Sequence, residues 1–138
     1  MSLKKNYFFV LIFLCYSSTS KAQESSIFDI ARRGSLTELK LIIKSDQNII
    51  NKISKEGYSA LVLACYYSNN EIASYLIKHV KDINSKSSYG TPLMAAAIKK
   101  NSYLTKLLLE NNADPNLSDQ NNSTALHYSV IFNQEKII

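Results

Sequence analysis

The stretch Thr91–Ala96 (TPLMAA) has two counterparts in the same chain, Ser59–Ala64 (SALVLA) before it and Thr124–Ser129 (TALHYS) after it. Asn51, Asn84 and Asn116 recur at nearly the same interval. Both sets therefore repeat with a period of roughly 33 residues, which is within the range of stacked-repeat proteins. Such self-similarity predicts a solenoid, which offers an extended surface rather than a pocket.

Each repeat has the local signals of two helices followed by an extended loop. The hydroxyl of Thr91 can cap a helix N-terminus, and Pro92 suits the first helical position because its missing N–H has no partner to lose. Leucines at helical spacing through residues 103–108 predict a second helix with an apolar stripe that begins at Tyr103. Asn112 can end that helix, since Asn tolerates the left-handed conformation of a C-terminal cap.

This pattern resembles the ankyrin repeat, whose units begin Thr-Pro-Leu-His-x-Ala at a similar period. Residues 91–116 match it best, although Met94 replaces the family's His and Asn112 its Gly. An atypical first repeat is expected upstream, with Phe28 and Ala31 at the positions of Leu61 and Ala64. The resemblance implies an all-α ankyrin-repeat solenoid of helix-turn-helix units joined by extended β-hairpin-like loops. We expect a repeat domain over residues 23–138, with units at about 25–55, 56–87, 88–120 and an incomplete 121–138.

The segment 1–22 has the composition of a secretory signal peptide. Lys4 and Lys5 precede a short apolar run and a small-residue exit that ends at Ala22, so cleavage is expected before Gln23. The apolar run is well short of the ~20 residues that span a bilayer, so an uncleaved interfacial anchor is the less favoured alternative. A lipid anchor on Cys15 is also disfavoured, because the bulky Leu14 precedes it. The chain is therefore expected to be exported, to the periplasm or outside the cell.

Removal of this segment would lower the net positive charge of the chain. The full chain has a formal net charge of +5, from 16 basic and 11 acidic residues. Lys4, Lys5 and Lys21 would leave with the signal segment, which leaves 13 basic and 11 acidic residues. Most of the basic excess is then a targeting feature, and nucleic acid is not expected as a partner.

The remaining sequence has little of the chemistry that an enzyme needs. Cys65 lies in an inner-helix segment and is expected to be a small buried residue, and without Cys15 it has no disulfide partner. His127 occupies the recurring His position of the repeat, where the resemblance implies hydrogen bonds that tie neighbouring loops, and His79 lies near a helix C-terminus. Neither has metal-ligand spacing, and the sequence has no phosphate loop or nucleophile elbow. No catalysis, cofactor, metal or small-molecule substrate is expected.

The resemblance also implies where a protein partner binds, because ankyrin proteins usually contact partners through the loop tips and the exposed face of the first helices. Carried over unit by unit, the expected contact residues are Arg33, Lys55, Glu56, Tyr58, Tyr66, Tyr67, Ser87, Ser88, Ile98, Lys99, Ile131 and Phe132. Tyr and Arg are enriched where binding energy concentrates. For Tyr66 and Tyr67, packing between adjacent first helices is an equally weighted alternative. Tyr75, on a second helix, is expected to contribute to stability instead.

The sequence therefore favours an exported, non-catalytic protein-binding module. The alternative is an ankyrin module of a larger enzyme or channel, and a host-directed effector is a third interpretation. We place Leu61, Leu93 and Leu126 in the core between repeats, and we expect truncation of Leu126 to destabilise the protein less, because its terminal unit lacks a completed neighbour. The chain stops inside the expected fourth unit, which would mean a longer array, a frayed last unit or a partner that covers it.

Overall fold

A computed structural model describes residues 27–132. The predicted signal segment at 1–22 and the final residues 133–138 lie outside the described part. Eight helical segments follow one another over the described range: α1 (27–33), α2 (Leu36–Ser45), a 3-10 helix (Gln47–Asn51), α3 (Ala60–Tyr66), α4 (Asn70–His79), α5 (Pro92–Ile98), α6 (Ser102–Glu110) and α7 (Ala125–Ile131). Two isolated antiparallel bridges, Ile53 with Ser59 and Ser87 with Gly90, close the loop tips like short hairpins.

The helices form two layers. The first helices α3, α5 and α7 contact one another in succession, and the second helices α2, α4 and α6 form the other layer. One continuous core joins the layers, with α3 almost wholly buried and Leu39, Leu76 and Leu104 contributed by the second helices. These observations confirm the predicted all-α repeat solenoid. Phe28 and Ala31, both in α1, are buried.

The first helices begin as the sequence predicts. Ser59 Oγ accepts a hydrogen bond from Val62 N at 3.2 Å, and Thr91 Oγ1 accepts one from Met94 N at 3.3 Å. Pro92 occupies the start of α5. Met94 partly replaces the repeat's histidine, because its Sδ lies 3.4 Å from Thr91 N, which donates to it. Gly90 is required beside it: its φ is +77°, and a Cβ would collide with the Met94 sulfur.

Asparagines link successive units. The Oδ1 atoms of Asn51 and Asn84 accept hydrogen bonds from Lys81 N and Asp114 N, each at 2.8 Å. Asn69 caps α4 by accepting from Ile72 N at 3.4 Å, and its Nδ2 donates to Gly34 O at 3.0 Å. The recurring asparagines therefore satisfy backbone groups across unit boundaries.

Three expectations need correction. Leu126 is predicted to lie in the core, but its side chain is 56% exposed. Val130 and Ile131 are exposed to a similar degree, because no further unit packs against that side of α7 within residues 27–132. Tyr103 is predicted in the apolar stripe of α6, but it is 55% exposed, and Leu104 and Leu108 form the buried stripe. His127 accepts a hydrogen bond at Nδ1 from Thr124 N at 3.0 Å, so this contact lies within its own unit and does not tie neighbouring loops.

Candidate protein-binding face

Aromatic rings connect the second and third units on the side of the first helices. Tyr89 stacks on Tyr58 with ring centroids 4.7 Å apart and on Tyr66 with centroids 4.5 Å apart. Its ring is nearly parallel to both, at 17° and 7°. Lys99 Nζ lies 4.4 Å from the centroid of the Tyr66 ring. We call these four residues the tyrosine stack.

The order of the tyrosine stack follows from these distances. Tyr89 covers one face of Tyr66, so the Lys99 ammonium uses the other face, where the ring's negative charge density attracts it. Tyr58, Tyr89, Tyr66 and Lys99 therefore form one column that ties two loop tips to the ends of α3 and α5. Hydrogen bonding with Tyr58 raises the pKa of Tyr89.

Tyr58, Tyr66 and Tyr67 differ in how far they are buried. Tyr58 and Tyr66 are half-buried and pack against the core. Tyr67 meets Tyr66 edge-on, with centroids 5.5 Å apart and planes at 70°, and its side chain is 50% exposed. Tyr66 is thus largely committed to packing between units, whereas Tyr67 presents its ring to solvent at the end of α3.

Tyr89 is the residue that sequence reasoning missed. It lies one residue before Gly90, at the position where the preceding unit has Gly57, so comparison of the repeats did not mark it. The turn that holds it is built by Ser87, whose Oγ donates to Gly90 O at 3.0 Å and accepts from Tyr89 N at 3.1 Å. The Ser87 side chain therefore stabilises this turn, whereas the neighbouring Ser88 is exposed.

The first loop tip is charged and exposed at Lys55 and Glu56. Hydrogen bonds from the backbone of Glu56 itself and from Ser54, followed by the nearby charges of Arg32 and Lys55, lower the pKa of Glu56. The tip residue Glu56 is thus held as a carboxylate within a basic neighbourhood.

The remaining predicted contact residues lie at the C-terminal ends of first helices. Arg33 is exposed at the end of α1, and Ile98 is half-buried at the end of α5. Ile131 is 67% exposed at the end of α7, and Phe132, its C-cap, is half-buried. Together with Tyr66, Tyr67 and Lys99 they form a row across successive units, because equivalent positions align in a solenoid.

The described residues form two grooves, one between loop tips of this face and one on the opposite, second-helix layer. One, of about 330 Å³, lies between the second and third loop tips and is lined by Lys86, Ser87, Gly90, Ser118, Asp119 and Gln120. The other, of about 660 Å³, crosses the second helices and was not anticipated from the sequence. Tyr75 lines it, stacked on His79 with centroids 4.0 Å apart, and Tyr103 lies 3.3 Å from Ser74 through its hydroxyl oxygen.

Cys65 is fully buried, and burial raises the pKa of its thiol well above the ordinary value, which keeps it protonated. Within residues 27–132, His, Cys, Asp and Glu side chains form no group that could hold a metal ion. None of the helices described over the same range is long and apolar enough to span a bilayer.

Known proteins share this architecture. The family model described as "Ankyrin repeats (3 copies)" matches residues 4–87, 27–119 and 81–138. A putative ankyrin repeat protein, L371, of Acanthamoeba polyphaga mimivirus is 31% identical over 106 residues, which is 74% of this chain and 14% of that protein. The putative ankyrin repeat protein FPV230 of Fowlpox virus (strain NVSL) is 36% identical over 97 residues, 70% of this chain and 51% of that protein.

A bacterial relative has similar coverage. A putative ankyrin repeat-containing protein of Treponema pallidum (strain Nichols) is 28% identical over 114 residues, which is 81% of this chain and 38% of that protein. The chain thus spans between about a seventh and a half of these relatives' lengths. The repeat register, the two helical layers and the matching family model lead to one conclusion: the chain belongs to the ankyrin-repeat family.

Proposed function

We propose that this protein is an exported, non-catalytic binding module that holds a protein partner against its loop tips and first helices. Ankyrin repeats generally mediate protein–protein interaction, and the family assignment supports that general role here. The observation that carries the proposal for this surface is Tyr67, a half-exposed ring supported edge-on by Tyr66.

Rigid support makes this ring a suitable contact. Tyr66 is itself stacked on Tyr89 and covered by Lys99, so the platform behind Tyr67 is ordered before a partner arrives. A preorganised aromatic side chain loses little conformational entropy on binding, which is why Tyr is enriched at interface hot spots. Arg33 and Lys99 flank this position along the row of first-helix ends.

Substitution of exposed tyrosines tests the binding surface. Tyr67→Ala is expected to weaken partner capture by at least ~1 kcal/mol, mainly through faster dissociation. Tyr103→Ala is the matched control, because Tyr103 is similarly exposed but lies on the second-helix layer. The measurement is the recovery of crosslinked partners from an envelope or secreted fraction, followed by surface plasmon resonance with the partner identified.

Equal losses for Tyr67→Ala and Tyr103→Ala, or a loss for Tyr103→Ala alone, would contradict the proposed face. Both variants are expected to keep the circular dichroism spectrum of the parent. Tyr66→Ala is a poor probe, since it removes the centre of the tyrosine stack and is expected to lower stability as well.

Export rests on residues 1–22, whose basic start, apolar run and small-residue exit support a cleavable signal. We expect the mature protein to begin at Gln23 and to be recovered outside the cytoplasm. N-terminal sequencing and fractionation measure this, and Leu11→Arg, which interrupts the apolar run, is expected to retain the precursor inside. An intact Met1 or Ser2 on cytoplasmic protein would overturn export, and a lipid-modified Cys15 would replace cleavage by anchoring.

The alternative proposal is that the repeats are the attachment module of a larger enzyme or channel. The small share of the mimivirus relative that this chain covers favours it. Sequencing of the gene beyond the codon for Ile138 separates the two proposals. A continuous reading frame there supports the larger protein, and a stop codon opposes it.

A further inference from the structure

The charge of this protein is unevenly divided between its two layers. The loop tips, the first helices and the turns that directly follow those helices contain six basic and three acidic residues in the described chain: Arg32, Arg33, Lys55, Lys86, Lys99 and Lys100 against Asp29, Glu56 and Asp119. The remainder of residues 27–132, mostly the second helices and their following turns, contains six basic and six acidic residues. The basic excess therefore lies on the proposed binding face, and the opposite layer is balanced.

The acidic groups of this face are already engaged by the protein itself. Asp29 forms an ion pair with Arg32 at 3.3 Å. Asp119 accepts hydrogen bonds from Tyr128 Oη and from the backbone N–H groups of Asn121 and Ser123, at 2.8 and 2.9 Å for the last two. Glu56 is hydrogen-bonded to its own backbone and to Ser54. The face keeps a net excess of positive charge, six basic against three acidic residues, which sets the electrostatic field in front of it.

One of these cations is held in place. Lys99 Nζ lies over the Tyr66 ring, 4.4 Å from its centroid, and Tyr67 contacts the same ring edge-on. A positioned cation loses less conformational freedom when it binds an anion than a freely rotating lysine does. The exposed Tyr67 ring provides an adjacent surface for an apolar side chain.

We infer that the partner segment held by this face is an extended acidic peptide with an apolar or aromatic side chain that packs on Tyr67. This inference rests on the proposed function, because it specifies the partner of the same surface. Charge complementarity of this kind speeds association and selects partners, and its strength falls as salt rises. Arg33, Lys86 and Lys99 come from three different units, and charge spread over several units favours an extended segment over a compact one.

The experiment measures fluorescence anisotropy of three labelled probes with the mature chain at low and at physiological salt. The probes are a short peptide of Glu and Asp with two interspersed leucines, its Gln and Asn counterpart, and a single-stranded oligonucleotide of equal charge. We expect the acidic peptide to bind more tightly than the neutral one by about tenfold at low salt and to weaken as salt rises. Tighter binding of the oligonucleotide than of the acidic peptide would overturn the inference in favour of a nucleic-acid partner.

Charge reversal locates the site. The pair Arg33→Glu and Lys55→Glu is expected to weaken the acidic peptide by about tenfold. The matched pair Lys40→Glu and Lys81→Glu changes the net charge equally on the opposite layer, and its effect is expected to stay within about twofold. Equal losses for both pairs would mean non-specific attraction and would overturn the inference. Arg33→Gln with Lys55→Gln repeats the test with smaller changes if the reversed pair does not fold.

The neutral probe separates this inference from the proposed function. If the neutral peptide binds as tightly as the acidic one and loses affinity in Tyr67→Ala, the protein-binding face stands and the acidic partner is wrong. If neither peptide binds the mature chain, the acidic partner is wrong, and the crosslinking experiment with Tyr67→Ala decides the binding face by itself.

Discussion

Two residues that are not glycine have a left-handed backbone between the first and second helices of their units. Ser68 and Lys100 occupy equivalent positions in successive units, and both have φ of +55°. This conformation destabilises an L-residue with a side chain by roughly 1–2 kcal/mol, and it does not destabilise Gly. The repeat thus places a strained turn at the same point in two successive units.

Replacement of Lys100 by Gly tests this strain. Lys100→Gly is expected to stabilise the protein by about 0.5–1 kcal/mol, since the relieved strain exceeds the extra entropy of Gly in the unfolded chain. Urea denaturation measures the change in the free energy of unfolding. Lys100→Ala removes the same charge but keeps the side-chain clash, so it is expected to lack the gain; a loss of stability in the Gly variant would contradict the argument.

Asp119 links stability to pH. Its pKa lies below the ordinary value, chiefly because Tyr128 donates a hydrogen bond to the carboxylate, with further bonds from the backbone of Ser123 and Asn121. A carboxyl whose pKa is lowered in the folded state stabilises the protein above its unfolded-state pKa, and this contribution disappears as pH falls through the folded-state pKa. Acid is therefore expected to weaken the last described loop and α7.

The measurement is the fall in melting temperature of each protein between about pH 6 and about pH 3. The wild type should lose more over this range than Asp119→Asn, in which the side chain no longer titrates. Tyr128→Phe removes the main cause of the shift and should resemble Asp119→Asn. An identical loss in all three proteins would show that other carboxyls control the acid response.

At the scale of the element, each first helix is buried according to its neighbours on both sides. Leu93 on α5 is 2% exposed because α5 lies between α3 and α7. Leu126 occupies the equivalent position on α7 and is 56% exposed. A leucine at the same repeat position therefore contributes a different amount to the free energy of unfolding in different units.

This contrast predicts unequal effects of truncation. Leu93→Ala is expected to destabilise the protein by about 2–5 kcal/mol through lost burial and a residual cavity. Leu126→Ala is expected to cost less than about 0.5 kcal/mol, as for an exposed position. Denaturant unfolding of the two variants, with Leu61→Ala as a second buried comparison, measures the difference. A large loss for Leu126→Ala would mean that another part of the chain or another molecule covers α7.

At the scale of the whole molecule, stability in a solenoid is a sum of unit and interface terms. The units joined by α3 and α5 have buried helices, the inter-unit asparagine bonds and the tyrosine stack. The unit that contains α7 exposes Leu126, Val130 and Ile131 in the described chain. Opening is therefore expected to begin at α7.

Native-state hydrogen exchange tests this order. Amides of α7 are expected to exchange faster than those of α3 and α5, because local opening requires less buried surface to be exposed. Mass spectrometry of peptides from each helix gives the rates. Addition of a bound partner should slow the exchange of loop-tip amides next to α3 and α5, whereas equal rates in all first helices without a partner would indicate one cooperative unit.

The amino-acid sequence by itself determined the repeat architecture, because the signals that specify it are local and occur in every unit. The cap at Thr91, the adjacent Pro92 and the left-handed Asn112 each act on residues within a few positions along the chain. The burial of Cys65 followed from the same register. Such features depend on helix geometry and burial pattern, which short stretches of chain specify.

Only the tertiary structure decided which side chains of the loop tips and first helices contact one another. The stacking of Tyr89 between Tyr58 and Tyr66 joins rings from two different units. This contact depends on how the loop tip that contains Tyr89 packs against the neighbouring unit. The exposure of Leu126 likewise depends on whether a neighbour packs against α7, which its own register does not reveal. These contacts join residues that are distant in sequence and depend on how successive units pack, so local sequence signals do not specify them.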